Sequence, residues 1–346
     1  MSFPDPARAR KMAALAVAAT AVFMVLCLLV VELVGGIAAD QAAKNQPAVP
    51  SKPMEEEVVE VPSEPFYVLL IGSDSRKGTA LYTGKANEHS QVDQHADIIT
   101  LVRVDPTTPQ ITLLTIPRDT QMEDESRKIN EALAPGNDPQ AVVEVVERLT
   151  GVEIPYYFMT TFIGFEQLVD GMGGVTVDVP ETVMVPDPSD AEDLEVEAGD
   201  GKRLNGSEAL VVARARKEYP TDQDALRQVN VRNLEEALIE KAIAAYRGAE
   251  GDTDAEASLS VMMKAFWDNV DTNMDAAVFT ELLRQISDNP NELIVYSGTG
   301  PYAGDVNEDE MWVVPQDEDA WGELMAAVDA GGDPAEVIPN PEFTDR

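Results

Sequence analysis

HADIITLVRVDPTTPQITLLTIPRD, residues His95 to Asp119, carries the strongest structural signal in the chain. Asp97 to Val104 and Ile111 to Ile116 are rich in β-branched residues, and Asp105-Pro106-Thr107-Thr108-Pro109-Gln110 supplies turn chemistry between them. The two runs predict a β-hairpin. With the turn centred between Thr107 and Thr108, opposed residue numbers sum to 215. That register sets Asp97 across from Arg118, with Cα atoms roughly 5 Å apart. Neither strand alternates with polar residues as a half-solvated strand would. Helices are therefore expected on both faces of the sheet, with charged groups gathered at one rim.

Upstream, Phe66-Tyr67-Val68-Leu69-Leu70-Ile71 predicts another strand, ending in Gly72-Ser73-Asp74-Ser75-Arg76. On pattern alone, an aspartate just past a strand reads as an Asx turn or a helix N-cap. Downstream of the hairpin, Lys128-Ile129-Asn130 lead to helices over about 139–149, closed by Gly151, and 162–169, with a strand-like run from Val175 to Pro180. The acidic, proline-punctuated run from Met184 to Gly201 reads as a surface loop. Asn205 then caps a helix ending in Arg214-Ala215-Arg216, whose cations would complement the helix dipole by about 0.3 to 1 kcal/mol each. A long helix over about 224–247 carries Arg227 and Arg232, and further helices are expected over 259–267, 276–286 and 318–328, with late strands at 291–296 and 311–315. Asp271-x-Asn273-x-Asp275 imitates the start of a calcium loop. Ala276 occupies the required glycine position, however, and Leu282 stands where a glutamate is needed.

Composition narrows the chemistry. The chain has 346 residues, a formal net charge of −38 and 44% apolar residues, enough for a sizeable core but hostile to non-specific nucleic-acid binding. An anionic ligand must be met by a local cluster of arginines. Cys27 is the single cysteine and His89 and His95 the two histidines, so neither a disulfide nor a Cys/His zinc site can be built. Met12 to Val31 is an uncharged, apolar run long enough for the roughly 30 Å membrane core at about 1.5 Å per residue. With Arg8, Arg10 and Lys11 before it and acids after it, the expected organisation is a cytoplasmic N-terminus over 1–11 and a transmembrane helix over 12–34. An acidic, proline-rich linker over 35–65 follows, then an extracellular domain over 66–337 and a tail over 338–346. A cleavable signal peptide is the alternative reading of the same apolar run.

Seven ordered segments carry a family resemblance: FYVLLIGSDSR, ADIITLVRVDP, LLTIPRDT, KINEAL, the run from Phe165 to Pro180, LNGSEALVVARAR and DALRQVNVRNLEEAL. In order and spacing, from about Phe66 to Val337, they resemble the LytR-CpsA-Psr family. The resemblance implies an α/β/α sandwich around a mixed sheet, tethered outside the cell by one N-terminal helix. It implies a magnesium-dependent phosphotransferase that moves an anionic glycopolymer from a polyprenyl-pyrophosphate carrier to peptidoglycan through a phosphodiester. On that reading Asp74 and Asp97 are the metal ligands, and catalysis is carried by Asp97, Asp74, Arg118 and His95. The pyrophosphate would be met by Arg76, Arg118, Lys128, Arg214, Arg216, Arg227 and Arg232, in keeping with the bidentate geometry of guanidinium groups. The polyprenyl tail needs an apolar groove, for which Val142, Val145, Val146, Leu149, Phe162 and Phe165 are the candidates.

The chain departs from the family pattern in two places. His95 stands where family members commonly carry arginine, which predicts faster transfer in mild acid than in mild base. In the long helix, Asn230, Val231 and Arg232 follow Arg227 where the pattern has arginine or asparagine and then two glutamines, and Arg232 is expected to replace part of the lost contact. These departures keep a second reading open: a polyprenyl-phosphate-binding regulator or scaffold of envelope assembly with impaired transfer.

Overall fold

The structure, a computed structural model, describes residues 61–77, 94–122, 127–134, 136–186, 192–220, 222–249, 253–308 and 310–343. The expected cytoplasmic segment, membrane helix and most of the linker lie outside the described residues. Among the described residues, no helix is long and apolar enough to cross a membrane.

A six-stranded mixed sheet is built from β1 (Phe66–Ser73), β2 (Ala96–Asp105), β3 (Gln110–Thr115), β4 (Tyr156–Thr160), β9 (Asp271–Thr272) and β10 (Ile294–Thr299), in the order β10-β3-β2-β1-β4-β9. The pairs β1–β4 and β10–β3 are parallel and the others antiparallel. The β2–β3 hairpin adopts the expected register, with Thr100 opposite Thr115 and Asp105 opposite Gln110. Asp105 pins the turn: its Oδ1 accepts hydrogen bonds from the Thr107 amide at 2.9 Å, the Thr107 hydroxyl at 2.7 Å and the Thr108 amide at 3.2 Å.

Strand alternation divides the apolar residues between two faces. Leu69, Leu101 and Leu114 pack under α1 (Pro139–Thr150) and α7 (Glu318–Asp329). Val68, Val102 and Leu113 point the other way. There they meet side chains of α4 (Gln223–Ala249) and α6 (Ala276–Asp288). The result is the layered α/β/α arrangement expected from the uniformly apolar strands. Local signals hold well at the helix ends. Asp138 caps α1, whose C-cap Gly151 sits at φ 73, a left-handed conformation open to glycine. Asn205 and Glu208 form a capping box on α3 (Gly206–Arg214).

Two expectations fail. The run from 184 to 201 is not a plain loop: β6 (Val183–Pro186) pairs with β7 (Asp193–Val196), and β8 (Gly199–Leu204) pairs with β5 (Val175–Val179). Val183, Val185 and Val196 are buried, a period-two signal too short to stand out among acidic neighbours. The folded part also continues past 337. Asn340 donates to the Ser297 carbonyl at 2.9 Å, and the Phe343 ring meets Tyr219 edge-on at 5.4 Å.

Candidate functional site: a cationic mouth on an apolar cavity

A cavity of about 670 Å³ opens between the sheet face bearing Val68, Leu70 and Val102 and the helices α2 (Phe162–Gly171), α4, α5 (Thr253–Asn269) and α6. Its walls are overwhelmingly apolar. Polar side chains gather at one end, where Asp74, Arg76, Asp97, Arg118, Arg214, Arg216 and Arg227 all line the opening. That end lies where β1 finishes and β2 begins, the rim expected to collect charge.

Asp74 and His95 stitch the rim. The Asp74 amide donates to the His95 carbonyl at 3.0 Å and the His95 amide donates to Asp74 Oδ1 at 2.8 Å, with His95 Nδ1 3.5 Å from Asp74 Oδ2. The β1–β2 register shifts between Gly72 and Ser73, a bulge of the kind that re-aims side chains beside a site. The Asp74 hydrogen bond raises the His95 pKa above its ordinary 6.5 against the opposing pull of burial. Asp97 receives Arg118 Nη1 at 2.5 Å. The Asp97 carbonyl accepts from Arg227 Nη2 at 2.9 Å and from the Gln228 amide at 3.4 Å, which fixes α4 to the head of β2.

Four cations are held together by two acids that sequence reasoning passed over. Asp224 Oδ1 accepts from Arg227 Nε at 3.1 Å and lies 3.3 Å from Arg118 Nε and 3.5 Å from Arg216 Nε. Asp119 takes Lys128 Nζ at 2.8 Å and lies 3.9 Å from Arg118 Nε and 4.0 Å from Arg216 Nη2. Burial pushes the Asp224 pKa up, but Arg227, Arg118 and Arg216 outweigh it and hold it below the usual range. For Arg118, burial works against the charge and the carboxylates of Asp97, Asp224 and Asp119 overcome it. The missed signal was electrostatic: packed guanidinium groups need counter-charges nearby. Asp119 adjoins Arg118, and Asp224 stands one helical turn before Arg227.

Arg214 lies 5.0 Å above the Phe162 ring and donates to the Pro186 carbonyl at 2.7 Å. Arg232 is not at the mouth. Five residues along α4 from Arg227, it is turned by about 140° around the axis. Its guanidinium is buried and donates to Thr115 Oγ1 at 2.6 Å, Ser297 Oγ at 2.9 Å and Asn340 Oδ1 at 2.9 Å. The expected replacement for the missing amide therefore does not form. The groove assignment is also corrected in part. Phe162 and Phe165 line the cavity, whereas Val142, Val145, Val146 and Leu149 belong to the core on the opposite face of the sheet. Their stripe on α1 signalled burial without revealing which face it covered.

Asp74 and Asp97 suit a hard divalent cation, which needs one or two carboxylates and completes its shell with phosphate and water oxygens. Among the described residues, no three acidic, histidine or cysteine side chains form a cage that would hold a metal without such a ligand.

The LytR_cpsA_psr family model matches residues 33–322. The polyisoprenyl-teichoic acid--peptidoglycan teichoic acid transferase TagV of Bacillus subtilis (strain 168) is 28% identical over 263 residues, 72% of this chain and 62% of that protein. Biofilm regulatory protein A of Streptococcus mutans is 29% identical over 231 residues, 63% of this chain and 52% of that protein. The chain thus spans about half to three-fifths of the length of these curated relatives. The crystal structure of Bacillus subtilis TagV superposes with a TM-score of 0.58 at 23% identity, covering 82% of this chain and all of that one. TagT bound to LI-WTA gives 0.56 at 19% identity, covering 83% of this chain and all of that one. These structural likenesses show a shared fold, and the match over most of its length shows that the chain belongs to the LytR-CpsA-Psr family.

Proposed function

We propose that the protein is a phosphotransferase that moves an anionic cell-wall glycopolymer from a polyprenyl-pyrophosphate carrier onto peptidoglycan. The observation that carries this reading is the continuity of an apolar cavity with a mouth of arginines around two aspartates. One molecule with a hydrocarbon tail and a pyrophosphate head matches both ends. The name of one relative, TagV, a transferase of teichoic acid to peptidoglycan, points the same way.

Arg118, Arg214, Arg216 and Arg227 would hold the phosphate oxygens, with Lys128 completing the positive field through Asp119. Asp74 and Asp97 would hold magnesium, which supplies neutralisation of the charge developing on the leaving phosphate. The acceptor hydroxyl oxygen bonds to the glycan-side phosphorus and releases its proton to water. The P–O bond to the bridging oxygen breaks, and polyprenyl phosphate departs. Arg118, shared between Asp97 and the substrate, orients that phosphorus. Initial rates of transfer onto purified peptidoglycan test the reading: Asp97→Ala is expected to abolish turnover. Arg214→Ala with Arg216→Ala should weaken carrier binding by about 1.5 to 3 kcal/mol per lost charged hydrogen bond. Wild-type affinity in the double variant would reduce these arginines to partners of a helix end.

A second reading, a polyprenyl-phosphate-binding regulator or scaffold, is favoured by one observation: Arg232 faces Thr115, Ser297 and Asn340 and so does not supply the amide missing at Val231. Lipid binding without turnover in every protein would select it. Both readings place the domain outside the cell on one N-terminal membrane helix. A cysteine at position 51 (Ser51→Cys) should then react with a membrane-impermeant reagent on intact cells, and protection until lysis would refute that topology.

A further inference from the structure

One ionisable side chain interrupts the apolar wall of the cavity. Glu235 lines it from α4, eight residues and about 12 Å along the helix axis from Arg227 at the mouth. Its Oε1 accepts the Thr100 hydroxyl of β2 at 3.0 Å, while its Oε2 is buried without a hydrogen-bond partner. The nearby cation is Arg232 on the same helix, whose three hydrogen bonds already go to Thr115, Ser297 and Asn340. Facing side chains from α2, α5 and α6, such as Phe165, Leu168, Phe266 and Leu282, carry no charge. The remaining ionisable lining groups, Asp74, Arg76, Asp97, Arg118, Arg214, Arg216, Lys217, Glu218 and Arg227, border the mouth.

A carboxylate in such a place is strongly disfavoured unless water reaches it, and an apolar chain filling the cavity removes that water. The neutral acid costs far less: it keeps the Thr100 hydrogen bond and brings no charge into the wall. We propose that Glu235 is a determinant of what occupies the cavity, taking up a proton together with an apolar chain and expelling that chain when the proton is lost. This rests on the reading of the cavity as the site of a hydrocarbon tail. Burial pushes the Glu235 pKa up to about 7, against the Thr100 hydrogen bond and the charge of Arg232. The switch therefore falls within the ordinary range of external pH. Filling the cavity raises the value further, so affinity is level below about pH 7 and falls by up to tenfold per unit above it.

The test uses polyprenol, which has no phosphate and so bypasses the arginine mouth and the titration of any head group. Its affinity for the wild-type protein in neutral detergent should drop on the order of thirtyfold between pH 6 and pH 8.5. Glu235→Gln, which keeps the shape and a partner for Thr100, should bind with one affinity throughout. Calorimetry at pH 7.5 in two buffers of different ionisation enthalpy should show more than about half a proton taken up per chain by wild type and none by Glu235→Gln. Circular dichroism confirms that both are folded, and Glu235→Leu repeats the comparison should glutamine disturb the helix. Equal pH slopes in wild type and variants overturn the role of Glu235 alone. Absence of polyprenol binding by every protein at every pH overturns the hydrocarbon-tail reading with it.

Discussion

His95 and Arg232 show how far one side chain's role depends on a neighbour distant in sequence. The sequence places His95 two residues before Asp97. Only the structure shows that Asp74 is its hydrogen-bonding partner and that this contact prevails over burial. In the metal-free protein, an NMR titration should therefore place His95 above 6.5, and Asp74→Asn should bring it down. A group whose folded pKa is raised contributes stability that is complete below its unfolded value and fades as pH rises through the folded one. Thermal unfolding of wild type should accordingly lose its margin over Asp74→Asn between about pH 6.5 and the measured folded value. Arg232 looked like a ligand because it stands one turn from Gln228. Burial lowers its pKa to about 10, still charged at neutral pH, and its partners are hydroxyls and an amide. Arg232→Ala should cost about 2 to 4 kcal/mol through orphaned buried acceptors, lowering the unfolding midpoint by roughly 5 to 10 °C. Polyprenyl phosphate affinity, measured at about pH 6, where Glu235 already carries its proton and the variant is still folded, should stay within about twofold; a tenfold loss would return Arg232 to the binding site.

Among the elements, the hairpin and the helix ends at Asn205 and Gly151 were legible because each is written locally in β-branched runs, turn residues and caps, whereas the mixed sheet was expected only from the family resemblance. Which face of the sheet each helix covers was not, since Val146 on α1 and Leu238 on α4 are equally apolar and only tertiary packing separates them. The β6–β7 ladder escaped for a related reason, its three buried valines being too few to set a period. The two faces make separable predictions. Val146→Ala should cost about 1 to 3 kcal/mol of stability and leave lipid binding unchanged. Leu238→Trp, which projects bulk into the cavity, should reduce lipid binding while leaving the unfolding midpoint near wild type. The reverse pattern in calorimetry and lipid extraction would restore the groove to α1.

For the molecule as a whole, a formal charge of −38 surrounds a mouth built from cations. The long-range field therefore repels the anionic carrier that the local cluster would bind. Raising salt from about 10 mM to about 150 mM shortens the screening length from roughly 30 Å to 8 Å. Stopped-flow association with polyprenyl phosphate in neutral micelles should accelerate over that range; a slowdown would mean that the mouth dominates the field outside as well.

The pinned hairpin has a further consequence, for time rather than place. Its turn closes over the few residues from Asp105 to Gln110, a microsecond event for such a local element. Arg227 reaches the Asp97 carbonyl across 130 positions, and Arg232 finds Asn340 across 108. A growing chain thus sets the rim aspartate in register long before α4 exists, and the last of the contacts that clamp α4 forms only once Asn340 has been made. Until α4 is made the paired strands wait with their cavity-facing side uncovered. That interval is when the nascent protein is most open to wrong strand partners and to proteolysis.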